Sequence, residues 1–326
     1  MSSAHSDAHP AASEAKLEDF LDPQVIAQAS PVRRIRYQGQ AQLTQCVREQ
    51  APVILTGALD HWPASSKWTL DYFAERWGDQ TIGATHTAFP RGRAPYEARA
   101  SDVHRPDSVR NCIAAMRSSD PDQPVYLNQN DCDSAYPGSR DDLRYDELVT
   151  DADTRKPNIW MGTRGTRSGL HWDMTDNLIA MFLGAKAFVL APPGRHHLLY
   201  ASHANPTKSS VDPAQVDWTR FPRLRRAELT VGVLRRGEIL LLPRAWWHYF
   251  GAIELSINSS IWFGPLARIR MFQHFGPTHL AAFVGQLVWN GLLNQPYEHR
   301  ALSPAPFGVL AHRFVAAKLA RRRDPR

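Results

Sequence analysis

Two short segments of the chain bring together residue types that bind metals. His171-Trp172-Asp173 offers an imidazole and a carboxylate two positions apart, and His248 ends the segment Pro243-Arg-Ala-Trp-Trp-His248, 75 positions beyond Asp173 (248 − 173). Alternate residues of an extended strand point to one face, so a single strand can deliver His171 and Asp173 inward together. A second strand would then supply His248 opposite them. Three protein ligands on one side of a metal leave the other side open, the facial arrangement that suits Fe(II) when a cosubstrate and oxygen must both reach the ion. In a chain with 14 histidines a His-x-Asp also arises by chance, so the surrounding elements have to carry the assignment.

Those elements read as strands. Asn177-Leu-Ile-Ala-Met-Phe-Leu183 is a run suited to a buried strand, Gly184 and Ala185 make a turn, and Lys186-Ala-Phe-Val-Leu-Ala-Pro-Pro193 reads as its hairpin partner. His248 follows Gly237-Glu-Ile-Leu-Leu-Leu-Pro243, a turn and an apolar strand. From Ile253 to Phe263 the sequence alternates, with Ile253, Leu255, Ile257 and Ile261 on a packing face and Glu254, Ser256, Asn258 and Ser260 on a face able to line a polar pocket. His196 and His197 look metal-like as a pair, but adjacent strand residues diverge. Placed after Pro192-Pro-Gly194, they read as loop or surface residues, and Trp246 and Trp247 read as packing around the ligand strand.

Taken together, order, spacing and residue type resemble the JmjC-like cupins of the cupin-8 type. These Fe(II)- and 2-oxoglutarate-dependent oxygenases include the asparaginyl hydroxylase of hypoxia-inducible factor and its bacterial relatives. The resemblance spans roughly residues 50 to 265. It rests on Pro52-Val-Ile-Leu-Thr-Gly57, Trp62-Pro63, Trp68-Thr-Leu-Asp-Tyr-Phe73, Tyr126-Leu-Asn-Gln129, His171-x-Asp173, Gly184-x-Lys186, Gly237-Glu-Ile-Leu-Leu-Leu-Pro243 and Trp247-His248, with an insert over Ser210 to Pro222. It implies a mainly β fold with flanking helices: a double-stranded β-helix, or jelly-roll, braced by an N-terminal α/β region and followed by C-terminal helices.

The same resemblance implies a set of cofactor contacts. 2-Oxoglutarate chelates the iron at one end, and its far carboxylate must meet a cation to be buried at acceptable cost. Lys186, fifteen positions after His171 (186 − 171), is the implied partner, with Ser168 supplying a hydroxyl where threonine is more usual. Tyr126 is expected to add a phenolic hydrogen bond and Asn177 to steady the iron-bound end, and Asn258 and Ser260 are further candidate contacts. Each has a plainer reading beside it: a solvated turn lysine at Lys186, a core tyrosine at Tyr126, a turn cap at Asn177, satisfied core polar groups at Asn258 and Ser260.

Composition sets the remaining bounds. The 326 residues, 43% of them hydrophobic, suffice for one sizeable core. No run approaches about 18 apolar residues, so no membrane span is expected, and the first residues lack the basic and apolar regions of a secretory signal. Three cysteines without a CxxC fit a reducing cytoplasm. The net charge of +6 comes partly from scattered clusters such as Arg33-Arg34-Ile-Arg36 and Arg321-Arg-Arg323, so nucleic-acid binding is not expected.

The expected organisation is a disordered leader over 1–15, the oxygenase domain over 16–265 and a helical extension over 266–326. Helices are expected at Leu70 to Trp77, Val109 to Met116 and Phe314 to Arg323. An apolar face on His279 to Leu293 suggests a homodimer paired through the C-terminal helices. Long, polar, arginine-rich segments at 90–122 and 200–222 read as the rim of an open groove suited to an extended polypeptide. The expected activity is therefore hydroxylation of a C–H bond in a protein or peptide. A small-molecule tailoring hydroxylase and a non-catalytic binding cupin are the alternatives.

Overall fold

The computed structural model describes residues 17–85, 104–118, 124–149, 156–202 and 206–264. The expected leader, most of the 90–122 stretch outside its helix, the apolar face at 279–293 and the helix at 314–323 lie outside these residues. Strands, the central ones rich in apolar residues, build two sheets. One holds β1 (Ser30–Pro31), β11 (Thr230–Arg235), β10 (Ala185–Ala191), β13 (Trp247–Ala252) and β8 (Arg167–Trp172), in that order. The other runs β2 (Arg33–Arg36), β3 (Val53–Thr56), β12 (Glu238–Leu242), β9 (Asp176–Leu183), β14 (Ser256–Phe263), β7 (Asn158–Gly162), β6 (Tyr126–Asp131), β4 (Thr81–Thr85), β5 (His104–Ser108). From β7 to β14 the chain changes sheet at every connection except that between β10 and β11, which pair antiparallel across a long insert. This is a cupin-like jelly-roll.

Alternation sorts the apolar residues into three clusters. Leu178, Ala180 and Phe182 of β9 and Ile257, Ile261 and Phe263 of β14 point out of the large sheet onto the N-terminal helices, where Trp62, Trp68, Phe73 and Trp77 cover them. Ala187 and Val189 of β10, Val231 and Val233 of β11, and Trp247 and Tyr249 of β13 point out of the small sheet and are covered by Phe20, Leu21, Leu198, Val211, Val216 and Phe221. Between the sheets lie Ile54, Ile179, Met181, Phe188, Leu190, Leu240, Leu242 and Phe250. The helix expected at Leu70 to Trp77 forms over those residues, capped by the Thr69 side chain. The helix expected near Val109 runs Val109–Ser118 and follows a strand, β5.

Three expectations need correction. Lys186 to Ala191 does not form a hairpin with Asn177 to Leu183: β9 pairs with β12 and β14, and β10 with β11 and β13. Gly184, at φ +67°, is a corner between sheets rather than a hairpin turn. The strand expected from Ile253 begins at Ser256, and Ile253 packs outside the small sheet while Ile257 packs outside the large one. Much of 200–222 is also no rim, because Ala201, Val211, Ala214, Val216 and Phe221 are buried against the outer face of the small sheet.

The corner at Gly184 has no room for a side chain, since a Cβ would overlap the Leu255 carbonyl oxygen. Gly165, at φ +88°, faces open space. Gly165→Ala should therefore cost about 1 to 2 kcal/mol, the left-handed penalty alone, whereas Gly184→Ala adds overlap with backbone and should cost about 3 kcal/mol or more. Urea denaturation measures both, and equal losses would remove the steric role of the corner.

Candidate metal centre

His171 stands on β8 directly opposite His248 on β13, and the two imidazole centroids are 4.0 Å apart. Asp173 follows the end of β8, with its Oδ2 3.7 Å from His248 Nε2. One ligand atom from each of the three residues lies within 4.8 Å of those of the other two, so the set could hold a single ion. The segment before His248 is fastened to the segment after His171. Ala245 donates its backbone N–H to the Asp173 carbonyl at 2.8 Å, and Arg244 pairs with the buried Asp176 carboxylate at 2.8 Å.

The two imidazoles are oriented by the same device. His171 Nδ1 lies 2.8 Å from the Gly169 carbonyl and His248 Nδ1 3.0 Å from the Trp246 carbonyl. A carbonyl only accepts, so each Nδ1 carries the proton and each Nε2 keeps its lone pair for a metal. Burial pushes both histidines below the usual imidazole range. His171 is lowered further by the charges of His248 and Lys208, while the Asp173 carboxylate partly offsets the effect at His248. Both are thus held neutral, as ligation requires. The third donor is fixed from the opposite sheet: Trp262 Nε1 donates to Asp173 Oδ2 at 2.8 Å.

Deeper along the inner face lies a polar group of residues. Lys186 is 5% exposed, burial pulls its ammonium down to about 7, and it donates to Asn258 Oδ1 at 2.7 Å. Its Nζ sits 5.3 Å from the centroid of the half-buried Tyr126 ring. A buried ammonium with one neutral partner is suited to receive a carboxylate, which would restore its preference for charge. Asn177 Oδ1 is buried with no hydrogen-bond partner, as is Asn128 Oδ1. Ser260 Oγ accepts from Trp160 Nε1 at 2.8 Å, so it serves a neighbouring indole. The donor set fits a divalent metal, and the buried Lys186 ammonium fits one end of a small dicarboxylate.

Ser168 reaches the inner face through a bulge. The pairing runs from His248 and His171 to Phe250 and Ser168, two steps on β13 against three on β8. Its hydroxyl accepts from the Phe250 N–H at 3.2 Å. His196, expected in a loop or at the surface, lies in a turn but is buried beside the rings of Trp172 and Trp247, at 6.1 and 5.6 Å; His197 is exposed. Trp246 donates to the Gln50 carbonyl and serves packing.

Sequence reading missed Trp262, Trp160 and Lys208. For Trp262 the signal was present, since one more step of the alternation through Asn258 and Ser260 reaches it. Trp160 stands opposite Asn258 in the β7 register. Lys208 carried no periodic signal, because it reaches His171 through an isolated bridge.

Trp262→Phe keeps an aromatic ring and removes the donor to Asp173. Metal affinity, read by Mn(II) titration with electron paramagnetic resonance, should fall about 10- to 100-fold, as for loss of other partners behind metal ligands, with the unfolding midpoint little changed. Unaltered affinity would show that Asp173 is oriented without the indole.

The sequence model of the family described as a cupin-like domain matches residues 39–268, more than half of the chain. Lysine-specific demethylase JMJ30 of Arabidopsis thaliana is 30% identical over 223 residues, which cover 65% of this chain and 49% of that protein. Lysine-specific demethylase 8 of Xenopus tropicalis is 28% identical, with 65% and 48% covered. The bifunctional peptidase and (3S)-lysyl hydroxylase JMJD7 of Homo sapiens is 26% identical over 247 residues, covering 65% of this chain and 77% of that protein. The chain thus spans about half the length of the first two relatives and over three quarters of the third. Its fold, its paired ligand strands and this match agree: the chain belongs to the cupin-like domain family.

Proposed function

We propose that the chain is an Fe(II)- and 2-oxoglutarate-dependent dioxygenase that hydroxylates a C–H bond in a protein or peptide. The observation that carries this reading is the one-sided cluster of His171, Asp173 and His248, with Lys186 deeper on the same inner face. Bound iron would supply the oxidising power that converts a C–H to a C–OH as 2-oxoglutarate and dioxygen become succinate and carbon dioxide. The protein's part is positioning. His171 and His248 present neutral Nε2 lone pairs, and Asp173 presents a carboxylate steadied by Trp262. Lys186, steadied by Asn258, receives the far carboxylate of the cosubstrate, with the Tyr126 ring alongside. Asn177 flanks the metal-bound end, and Ser168, opposite Phe250 between the levels of His248 and Lys186, offers its hydroxyl toward the far carboxylate. Ser260 contributes indirectly by holding Trp160, whose ring with that of Trp262 keeps water from the inner face.

A polypeptide substrate is favoured because two of the relatives are named lysine-specific demethylases and the third a peptidase and (3S)-lysyl hydroxylase. No helix among the described residues is long and apolar enough to cross a membrane. The three cysteines are free and buried, which supports a reducing cytoplasm as the working compartment. The helical spacing of Leu280, Phe283, Val284, Leu287 and Val288 supports pairing of two chains through the segment after Pro265.

Anaerobically iron-loaded protein, given 2-oxoglutarate, oxygen and either the protein fraction or the low-mass filtrate of a lysate, should release succinate. The protein fraction should stimulate release and yield a polypeptide one oxygen atom heavier. Stimulation by the filtrate alone would assign a small-molecule substrate, and absence of succinate with iron bound would overturn the oxygenase. Asp173→Ala and His248→Ala should lose iron, and Lys186→Met should weaken 2-oxoglutarate binding by about 3 kcal/mol, the order expected for an unpaired buried charge. Sedimentation of the full chain at micromolar concentration should give a dimer mass; a monomer removes the pairing.

A further inference from the structure

The segment that brings His248 to the metal centre holds a backbone conformation that its own residues do not favour. Ala245 has φ +64°, in the left-handed region where a Cβ crowds the following carbonyl. Gln50, which ends the helix Gln40–Glu49, has φ +52°. Such backbone persists only where the surrounding contacts over-determine it. Here both positions are tied to one carboxylate, that of Asp176.

Asp176 opens β9 and stands opposite Phe263 in the register of β14. Phe263 packs outside the large sheet, as do Leu178 and Ala180 at alternate positions along β9, so the Asp176 carboxylate belongs to the outer face while the metal ligands meet on the inner one. An apolar residue would continue that row. Instead a fully buried carboxylate accepts from the Arg244 backbone N–H at 2.8 Å, from Arg244 Nε at 3.3 Å and Nη2 at 2.8 Å, and from Gln50 Nε2 at 3.4 Å. Replacing a buried ion pair by apolar residues is often neutral or stabilising, so the cohesion of the sheet does not by itself call for this one. What a carboxylate with several donors adds, and apolar contact does not, is direction.

That direction is passed to a metal ligand. The Gln50 carbonyl accepts the Trp246 indole N–H at 2.9 Å, and the Trp246 carbonyl in turn accepts from His248 Nδ1 at 3.0 Å. Arg244 and Gln50, joined at Asp176, thus hold the chain on both sides of Ala245. The Ala245 N–H donates to the Asp173 carbonyl at 2.8 Å, which ties the same turn to the residue that supplies the third ligand. None of Asp176, Arg244 and Gln50 is in the ligand set.

Resting on the metal centre behind the oxygenase reading and deepening it, we infer that Asp176 and Arg244 are positioning residues for His248. With Gln50 they fix the Trp246 carbonyl, which keeps the His248 proton on Nδ1 and leaves its Nε2 lone pair turned toward the metal.

The test separates direction from stability, using the full chain. Asp176→Leu combined with Arg244→Met replaces both charges by apolar side chains, so its unfolding midpoint should lie nearer wild type than that of Arg244→Met alone, which leaves a buried carboxylate without its cation. Nitrogen-15 spectra of the histidines in metal-free protein should show His248 protonated at Nδ1 alone in wild type and as a mixture of tautomers in the double variant. His171, held by Gly169 instead, should be the same in both. Mn(II) affinity, titrated by electron paramagnetic resonance, should fall about tenfold in the double variant. Lys67→Met, which removes the cation from the buried Asp142 carboxylate, should lower the midpoint and leave both the tautomer and the Mn(II) affinity at their wild-type values. A double variant with wild-type tautomer and affinity would overturn the inference, as would an equal loss of affinity in Lys67→Met. Should the double variant fail to fold, Arg244→Met and Asp176→Asn decide by the same two readouts. A wild type that binds no Mn(II) would sink the metal centre and the oxygenase reading instead, and the tautomer comparison, made without metal, would still decide the positioning.

Discussion

Buried polar groups with fixed partners are the constraint on which this protein is organised. Two imidazoles, a carboxylate and two ammonium groups face the interior, where an unsatisfied charge is tolerated poorly. Backbone carbonyls of Gly169 and Trp246 hold the two imidazoles, the Trp262 indole holds Asp173, and the Asn258 amide holds Lys186. Each arrangement leaves one direction open: the Nε2 atoms, the Asp173 carboxylate and the Lys186 ammonium can still meet a ligand. A polar interior satisfied throughout would be a stable core with nothing to do; here the ligand atoms of His171, Asp173 and His248 converge and the Lys186 ammonium has one neutral partner.

Such an interior requires firm walls. Both sheets are covered on their outer faces, so each strand is sandwiched between an apolar layer and the inner face, and a shift of register by one residue would exchange the two. The large sheet is braced by helices tied at Asp142, whose buried carboxylate accepts from Lys67, Trp68 and Tyr72 and is thereby held below the usual carboxylate range despite the opposing effect of burial. The small sheet is braced by the insert between β10 and β11, tied through Arg167 and Asp212. That insert acts as both cover and wall, for the chain that buries Val211 and Val216 outside the sheet is the chain that brings Lys208 to its inner face.

The legible parts of the fold were those governed by local periodicity. The helix Leu70–Trp77, the strands around His171 and His248, and the inward direction of Asn258 follow from spacings of 3.6 and 2, because side-chain direction repeats with the backbone. Strand partners are a non-local choice. A glycine with positive φ serves a hairpin and a corner between sheets equally well, so Gly184 alone does not tell which of the two joins Leu183 to Ala185. The same limit applies to Ile253, whose alternation runs on into β14 although it packs on the other sheet. Pro192-Pro-Gly194 signals a loop, but not that two tryptophans from neighbouring strands close over His196. Ser168, an odd number of positions from His171, shares its face only because of a bulge that no spacing announces.

The division of the site between the two sheets follows from the same constraint. The histidines and Lys186 come from the small sheet, while their supporting polar groups, Asn258, Ser260, Trp160 and Trp262, come from the large one. The bonds from Lys186 to Asn258 and from Trp262 to Asp173 therefore bridge the jelly-roll, and neither exists until both sheets have formed and closed. Apolar contacts between the sheets, such as those of Phe188, Leu190 and Leu240, set their approach without fixing direction. Direction comes from the polar bonds, since a hydrogen bond is sensitive to angle in a way that apolar contact is not. The apolar residues thus bring the two sheets together, and the polar pairs determine where the ligand atoms point once they have met.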